Sequence, residues 1–123
     1  MDKLKFINKQ MEAIGIPYEF YEWSSPVKYP YFVGEITEEP VTTGDGLRKS
    51  TMLVTGFHRG SMSTLLQDKE KIKNHFHPLH GLHGKIDGGY IVVFYDGFFL
   101  IPSGEAELKK IQINLQIQEW KEL

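Results

Sequence analysis

From Ile111 to Trp120 apolar and polar side chains alternate one for one, IQINLQIQEW. Ile111, Ile113, Leu115 and Ile117 fall on one side of an extended chain, and Gln112, Asn114, Gln116 and Gln118 on the other. The pattern predicts a strand with one buried face. Near the N-terminus the period changes. Leu4, Ile7, Met11 and Ile14 recur every three or four residues with Lys3, Lys5, Lys9 and Glu12 between them, which predicts an amphipathic helix capped at Gly15 and stopped by Pro17. YEFYEW (18–23) then alternates again as a first strand. After the linker SSPVKYP, YFVGEIT (31–37) makes a second, expected to run antiparallel to the first. EEPVTTGDGLRK (38–49) is polar and glycine-rich and is expected as a mobile loop or hairpin tip.

STMLVTGFHR (50–59) supplies a third strand. A second helix starts from Ser61 or Ser63, buries Met62, Leu65, Leu66, Ile72 and Phe76, and ends before Pro78. GGYIVVFYDG (88–97) reads as a strand ending in an Asp96–Gly97 turn, with FFLIP folding back as a hairpin. The order helix, three strands, helix, three strands predicts a single α+β domain over residues 1–123: a mostly antiparallel sheet of five or six strands with two helices packed on it.

Composition narrows the function classes. With 123 residues, 41% apolar and 24% charged, the chain is long enough for its own core. Fourteen basic and sixteen acidic residues give a net charge of −2 and no basic run, which argues against nucleic-acid binding. There is no cysteine, so disulfides and thiolate metal sites are excluded. No stretch has the roughly 20 apolar residues of a membrane span, and the N-terminus lacks a signal-peptide core, so the protein is expected to stay where it is made.

The strongest chemical signal is HFHPLHGLHG (75–84), which holds His75, His77, His80 and His83, four of the five histidines. Neutral imidazole is a good ligand for zinc, copper, nickel or iron, so a small metal-binding protein or metalloenzyme built on these four is one reading. Against it, the segment has no carboxylate before Asp87, lacks the His-Glu-x-x-His helical spacing, and is expected as a helix-to-strand loop holding Pro78, Gly81 and Gly84, which is poorly pre-organised for a site. His58, beside Arg59, has no nucleophile to serve. Glu35, Glu38, Glu39 and Asp45 do not match a calcium loop. No catalytic constellation is legible, and neither catalytic residue nor cofactor is assigned.

The amides are the other unusual feature. Exposed strands commonly carry charges that discourage edge pairing, whereas Gln112, Asn114, Gln116 and Gln118 form an uncharged row. Amides tolerate burial when hydrogen-bonded and suit a partner of either sign. Tyr18, Phe20, Tyr29, Tyr31 and Phe32 add aromatic residues of the kind enriched at interfaces.

GIPYEFYEW followed by YPYFVGE, TGFHRGS before the second helix, and the closing FFLIPSGEAELKKIQINLQIQEW resemble the tail-completion proteins of siphophages and related prophages, often called tail terminators or minor capsid proteins. The likeness spans nearly the whole chain but rests on size, element order and local wording. It implies an α+β, non-enzymatic assembly protein, present in the bacterial cytoplasm during assembly and then at the tail–head junction of the virion. It also implies a homo-oligomeric ring, typically a hexamer, that caps the completed tail tube and prepares it for joining to the head. Tail-tube and head-completion proteins would be its partners. A head–tail connector or a tail-tube subunit is the alternative within this class. On that reading the amide row and the 38–49 loop, with Thr43, Asp45 and Leu47, are the candidate contact surfaces; the histidine-rich segment is not a feature of the family.

Overall fold

The computed structural model describes residues 2–40 and 46–121. It is an α+β fold with two helices and one six-stranded sheet. α1 (Lys3–Ala13) begins at Asp2, whose carboxylate accepts the Lys5 N–H at 2.9 Å and so satisfies one of the donors a helix start leaves open. It buries Phe6, Ile7 and Met11. Ile14 closes the helix, and Gly15, at φ +73°, takes the left-handed step that turns the chain away.

β1 (Tyr18–Phe20), β2 (Tyr31–Glu38), β3 (Leu47–Arg59), β4 (Leu82–Ile86), β5 (Gly89–Leu100) and β6 (Leu108–Lys121) form the sheet in the order β1-β2-β3-β6-β5-β4. α2 (Met62–Phe76) starts from Ser61, whose hydroxyl accepts the Ser63 N–H, and buries Leu65, Ile72 and Phe76. Both helices lie on one face. There Ile111, Ile113, Leu115 and Ile117 of β6, Met52 and Val54 of β3, and Ile91, Val93 and Tyr95 of β5 form the core with the buried helix residues. Neighbouring glycines admit the large rings. Phe32 lies over Gly56, its partner across the β2–β3 ladder, and Tyr18 lies over Gly34; a Cβ at either glycine would collide with the ring. The Tyr18 hydroxyl is left to donate to Met52 Sδ at 3.4 Å, and burial raises its pKa.

Several expectations need correction. β1 and β2 are parallel, not antiparallel. The strand expected over 18–23 stops at Phe20 because Tyr21 adopts φ +74° and the Glu19 carboxylate accepts both the Ser24 hydroxyl (2.6 Å) and the Ser24 N–H (3.4 Å). These contacts bend the chain back, and residues 21–30 return it to the end where β1 began.

Asp96 and Gly97 make no hairpin turn. They form a bulge within β5: β6 pairs with Gly89–Tyr95 on one side of it and with Phe98–Leu100 on the other. Gly97 takes φ +100°, and the Asp96 carboxylate accepts the Gln116 amide at 3.2 Å, so the one extra residue is absorbed without reversing the strand.

Finally, part of the histidine-rich segment is a strand. Leu82–Ile86 pairs with β5 as a hairpin closed at Asp87 and Gly88, with Gly88 at φ +78°.

The ionic contact at the end of the sheet joins sequence-distant elements. Glu119 continues the buried side of β6 with only 1% of its surface exposed. Lys3 Nζ lies 3.3 Å from it and 2.6 Å from Glu38, and Lys121 reaches it at 3.9 Å. Burial would lower the Lys3 pKa, but the Glu38 and Glu119 carboxylates raise it on balance. Removing the cation strands a carboxylate in the interior. Lys3→Met should therefore lower the unfolding free energy by about 3 kcal/mol, and Glu119→Gln in the same background should restore most of it; urea unfolding of the three proteins measures both effects.

Candidate interface on the open sheet face

The face of the sheet away from the helices is built by the second half of each alternation. Gln112, Asn114, Gln116 and Gln118 all project there and are all half-buried. In register, Gln112 sits between Thr55 of β3 and Phe99 of β5, Gln116 between Thr51 and Phe94, and Gln118 between Lys49 and Val92. Gln116 donates to Thr51 Oγ1 at 3.1 Å as well as to Asp96. The Asn114 amide oxygen is buried without a hydrogen-bond partner. Leu47, opposite Trp120, continues this face to the end of the sheet. Thr43 and Asp45 lie outside the described residues.

An aromatic group flanks the amides on the β2 side. Tyr31 stacks on Phe57 with ring centroids 4.9 Å apart and planes at 18°, and Trp23 and Tyr29 meet Tyr31 at 5.0 and 5.6 Å. Lys110 stands over Phe57 and Arg59 over Tyr29, the latter fixed at 2.8 Å to Glu105. Between this group and the amides lies a concavity of about 450 Å³ lined by Trp23, Tyr31, Glu35, Phe57, Lys110 and Gln112, among others. The buried Trp23 indole N–H has no acceptor. Chemically this is a surface of stacked rings and amides, with Glu35 and Lys110 at the concavity, suited to covering by another protein surface. Tyr18, Phe20 and Phe32, grouped with these aromatics by sequence proximity, belong to the core side instead: Tyr18 and Phe32 are buried and Phe20 packs against the core.

The four histidines of 75–83 are spent on local structure. His77 closes α2 at φ +48°, and its Nδ1 accepts the N–H groups of Leu79 and His80, both at 3.1 Å. In this geometry Nδ1 is the accepting nitrogen. The His77 and His80 rings stack at 4.6 Å. His83 Nε2 donates to the His80 carbonyl at 2.9 Å, and His75 Nε2 meets Gln10 Oε1 at 2.7 Å, tying the end of α2 to α1. Among the described residues no three histidine or carboxylate groups come together as a metal site. His58 keeps a buried Nδ1 without a hydrogen-bond partner. Of the acidic set, Glu38 is held by Lys3, Glu35 and Glu39 are exposed, and Asp45 lies outside the described residues.

The turn-forming role of His77 was not read from the sequence; a histidine just before proline at a helix end was its one local sign.

No family model matches this chain, and no curated protein matches it either.

Two outcomes follow from the histidine geometry. His77→Ala should cost about 1 kcal/mol through loss of the acceptor, whereas His77→Asn, which offers an oxygen acceptor and tolerates positive φ, should cost less; thermal unfolding separates them. Burial lowers the His75 pKa below its ordinary value. A lowered imidazole pKa means that the unfolded chain binds the proton more tightly. This contribution is therefore fully present above about pH 6.5 and is lost as pH falls through the folded-state value. Between pH 7.5 and 5, the melting temperature of the parent should drop further than that of His75→Gln.

Proposed function

We propose that this chain is a structural assembly protein of a tailed phage, a tail terminator that caps the completed tail tube as an oligomeric ring and prepares it for head joining. Its partners are further copies of itself, the tail-tube protein and a head-completion protein. It acts in the bacterial cytoplasm during assembly and afterwards at the tail–head junction. No helix among the described residues is long and apolar enough to cross a membrane.

The observation that carries this reading is the one-sided cover of the sheet. Two helices pack on one face, while the other bears an uncharged amide row beside stacked aromatic rings and leaves the Asn114 and Trp23 polar atoms without partners. A buried polar atom without a partner is costly, and a docked protein surface can supply the missing one. The residues that resemble tail-completion proteins include this same amide strand.

The test is co-assembly with the cognate tail-tube protein. Addition of this chain in substoichiometric amounts should stop tube growth and leave a ring at one end, visible by negative-stain electron microscopy. Tubes formed by the chain alone would instead make it a tube subunit, and absence of binding to tube ends would remove the terminator reading. Gln112→Glu with Gln118→Glu should weaken tube binding by about tenfold through desolvation of the added charges while leaving the melting temperature within a few degrees.

A further inference from the structure

A sheet that does not close on itself has two edges, and the outward N–H and C=O groups of an edge strand are satisfied in full only by water or by another extended chain. Both edges here are only partly covered. β4 pairs with β5 as far as Val93 and stops, while β5 runs on to Leu100, held on its inner side by β6. At the opposite end β1 covers Phe32–Gly34 of β2, while β2 continues to Glu38. Among the described residues no strand lies against the outer side of 98–100 or of 35–38.

Soluble proteins blunt such edges with short strands, lysines and bulges. Those devices are present up to a point: β4 has five residues and carries Lys85, and Asp96–Gly97 kinks β5. Past the kink they cease. Phe98 turns to the core under Lys69, but Phe99 and Leu100 are 53% and 60% exposed on a strand whose outer side is free. The two ends also differ in charge. The uncovered stretch of β2 carries Glu35 and Glu38, with Glu39 next; of these, Lys3 holds Glu38. Phe98–Leu100 of β5 carries no charge, and the nearest carboxylate on that strand, Asp96, is engaged by Gln116.

We propose that the free edge of β5 at Phe98–Leu100 in one copy receives the Glu35–Glu38 stretch of β2 from a second copy, joining the two sheets. Pairing β2 with β2 would set glutamates against glutamates. Pairing β5 with β5 would leave the acidic edge bare. Joining unlike edges uses both, and a contact between two different patches is the kind that closes a ring by repetition. The head-to-tail sense rests on the ring reading proposed above; the uncovered edges do not.

Because the chain contains no cysteine, single cysteines can report neighbours without background. Thr37→Cys lies within the donated stretch, on an exposed side chain, and Ile101→Cys lies just past the receiving one; both leave Glu35, Phe99 and Leu100 in place. The two variants, mixed at high concentration with a short bismaleimide, should give a 37–101 dimer at least fivefold above either like pair and above Glu12→Cys mixed with Ile101→Cys. Denaturing mass spectrometry reads the products. A 101–101 product formed as readily as the mixed one would overturn the proposal in favour of a two-fold contact. A 37–101 yield no higher than the Glu12 control would overturn it outright. Native mass spectrometry of Phe99→Lys/Leu100→Lys separates this result from the fate of the ring reading. Loss of the oligomer with an unchanged monomer melting curve is the expected outcome. A ring that persists without 37–101 crosslinks would sink the edge pairing and leave the terminator reading standing.

Discussion

β6 must satisfy two neighbours and two environments at once, and the rest of the fold hangs on how it does so. It is 14 residues long, lies between β3 and β5, and pairs with β3 over Leu108–Trp120 and with β5 over most of its length. A slip of one residue would turn Ile111, Ile113, Leu115 and Ile117 away from the helices and drive four amides into the core. The alternation therefore sets the register of both flanking ladders. The bulge at Asp96–Gly97 then becomes intelligible: it lets β5 stay in phase with β6 on either side, with Tyr95 opposite Leu115 and Phe98 opposite Ile113, both on the core side.

Where one side chain decides between two environments, the sequence was legible. The N-terminal helix, the second helix and the β6 alternation are such cases, because a 3.6- or 2-residue period names the buried face directly. The α+β class and both helix boundaries follow from those periods to within about two residues. The parts that were not legible depend on backbone pairing or local polar contacts. Asp-Gly suits a hairpin turn and a bulge equally, and only the continuous partner strand distinguishes them. The parallel β1–β2 pair hinges on Glu19 holding Ser24, a contact with no periodic signature. β4 was concealed because histidines and glycines outweighed Leu82 and Ile86 in a five-residue strand.

The amide row was visible as a pattern; its neighbours were not. Sequence order does not tell that Gln116 reaches across to Thr51 and Asp96, or that Trp23, Tyr31 and Phe57 gather beside Gln112. The histidines show the converse. A dense cluster of potential ligands loses that character once each ring is placed: one nitrogen of His75, His77 and His83 is already engaged with Gln10, the backbone N–H groups of 79 and 80, and the His80 carbonyl, respectively. Metal sites need several free nitrogens converging on one point, and a turn that uses its imidazoles as backbone partners directs them apart.

The same logic bears on assembly. Charged groups are concentrated on the helices and at the sheet's ends: Lys3, Glu38 and Glu119 at one, Arg59 and Glu105 at the other. The middle of the open face is mostly amides and rings, with Glu35 and Lys110 at its concavity and Asp96 beside Gln116; the amides and rings carry little desolvation penalty when covered if their hydrogen bonds are met. On the assembly role proposed above, the subunit would meet a tube, a neighbouring copy and a head component, and one chemistry would not serve all three. Here the open face offers area with few charges, while the two uncovered edge stretches offer unpaired backbone, acidic on β2 and uncharged on β5. Contacts of the first kind tolerate small shifts in register; contacts of the second kind do not, because a strand pairs in steps of whole residues. A division in which the edges set subunit geometry and the open face accepts a partner would let a ring of the proposed kind hold its symmetry while its face accommodates a partner of a different one.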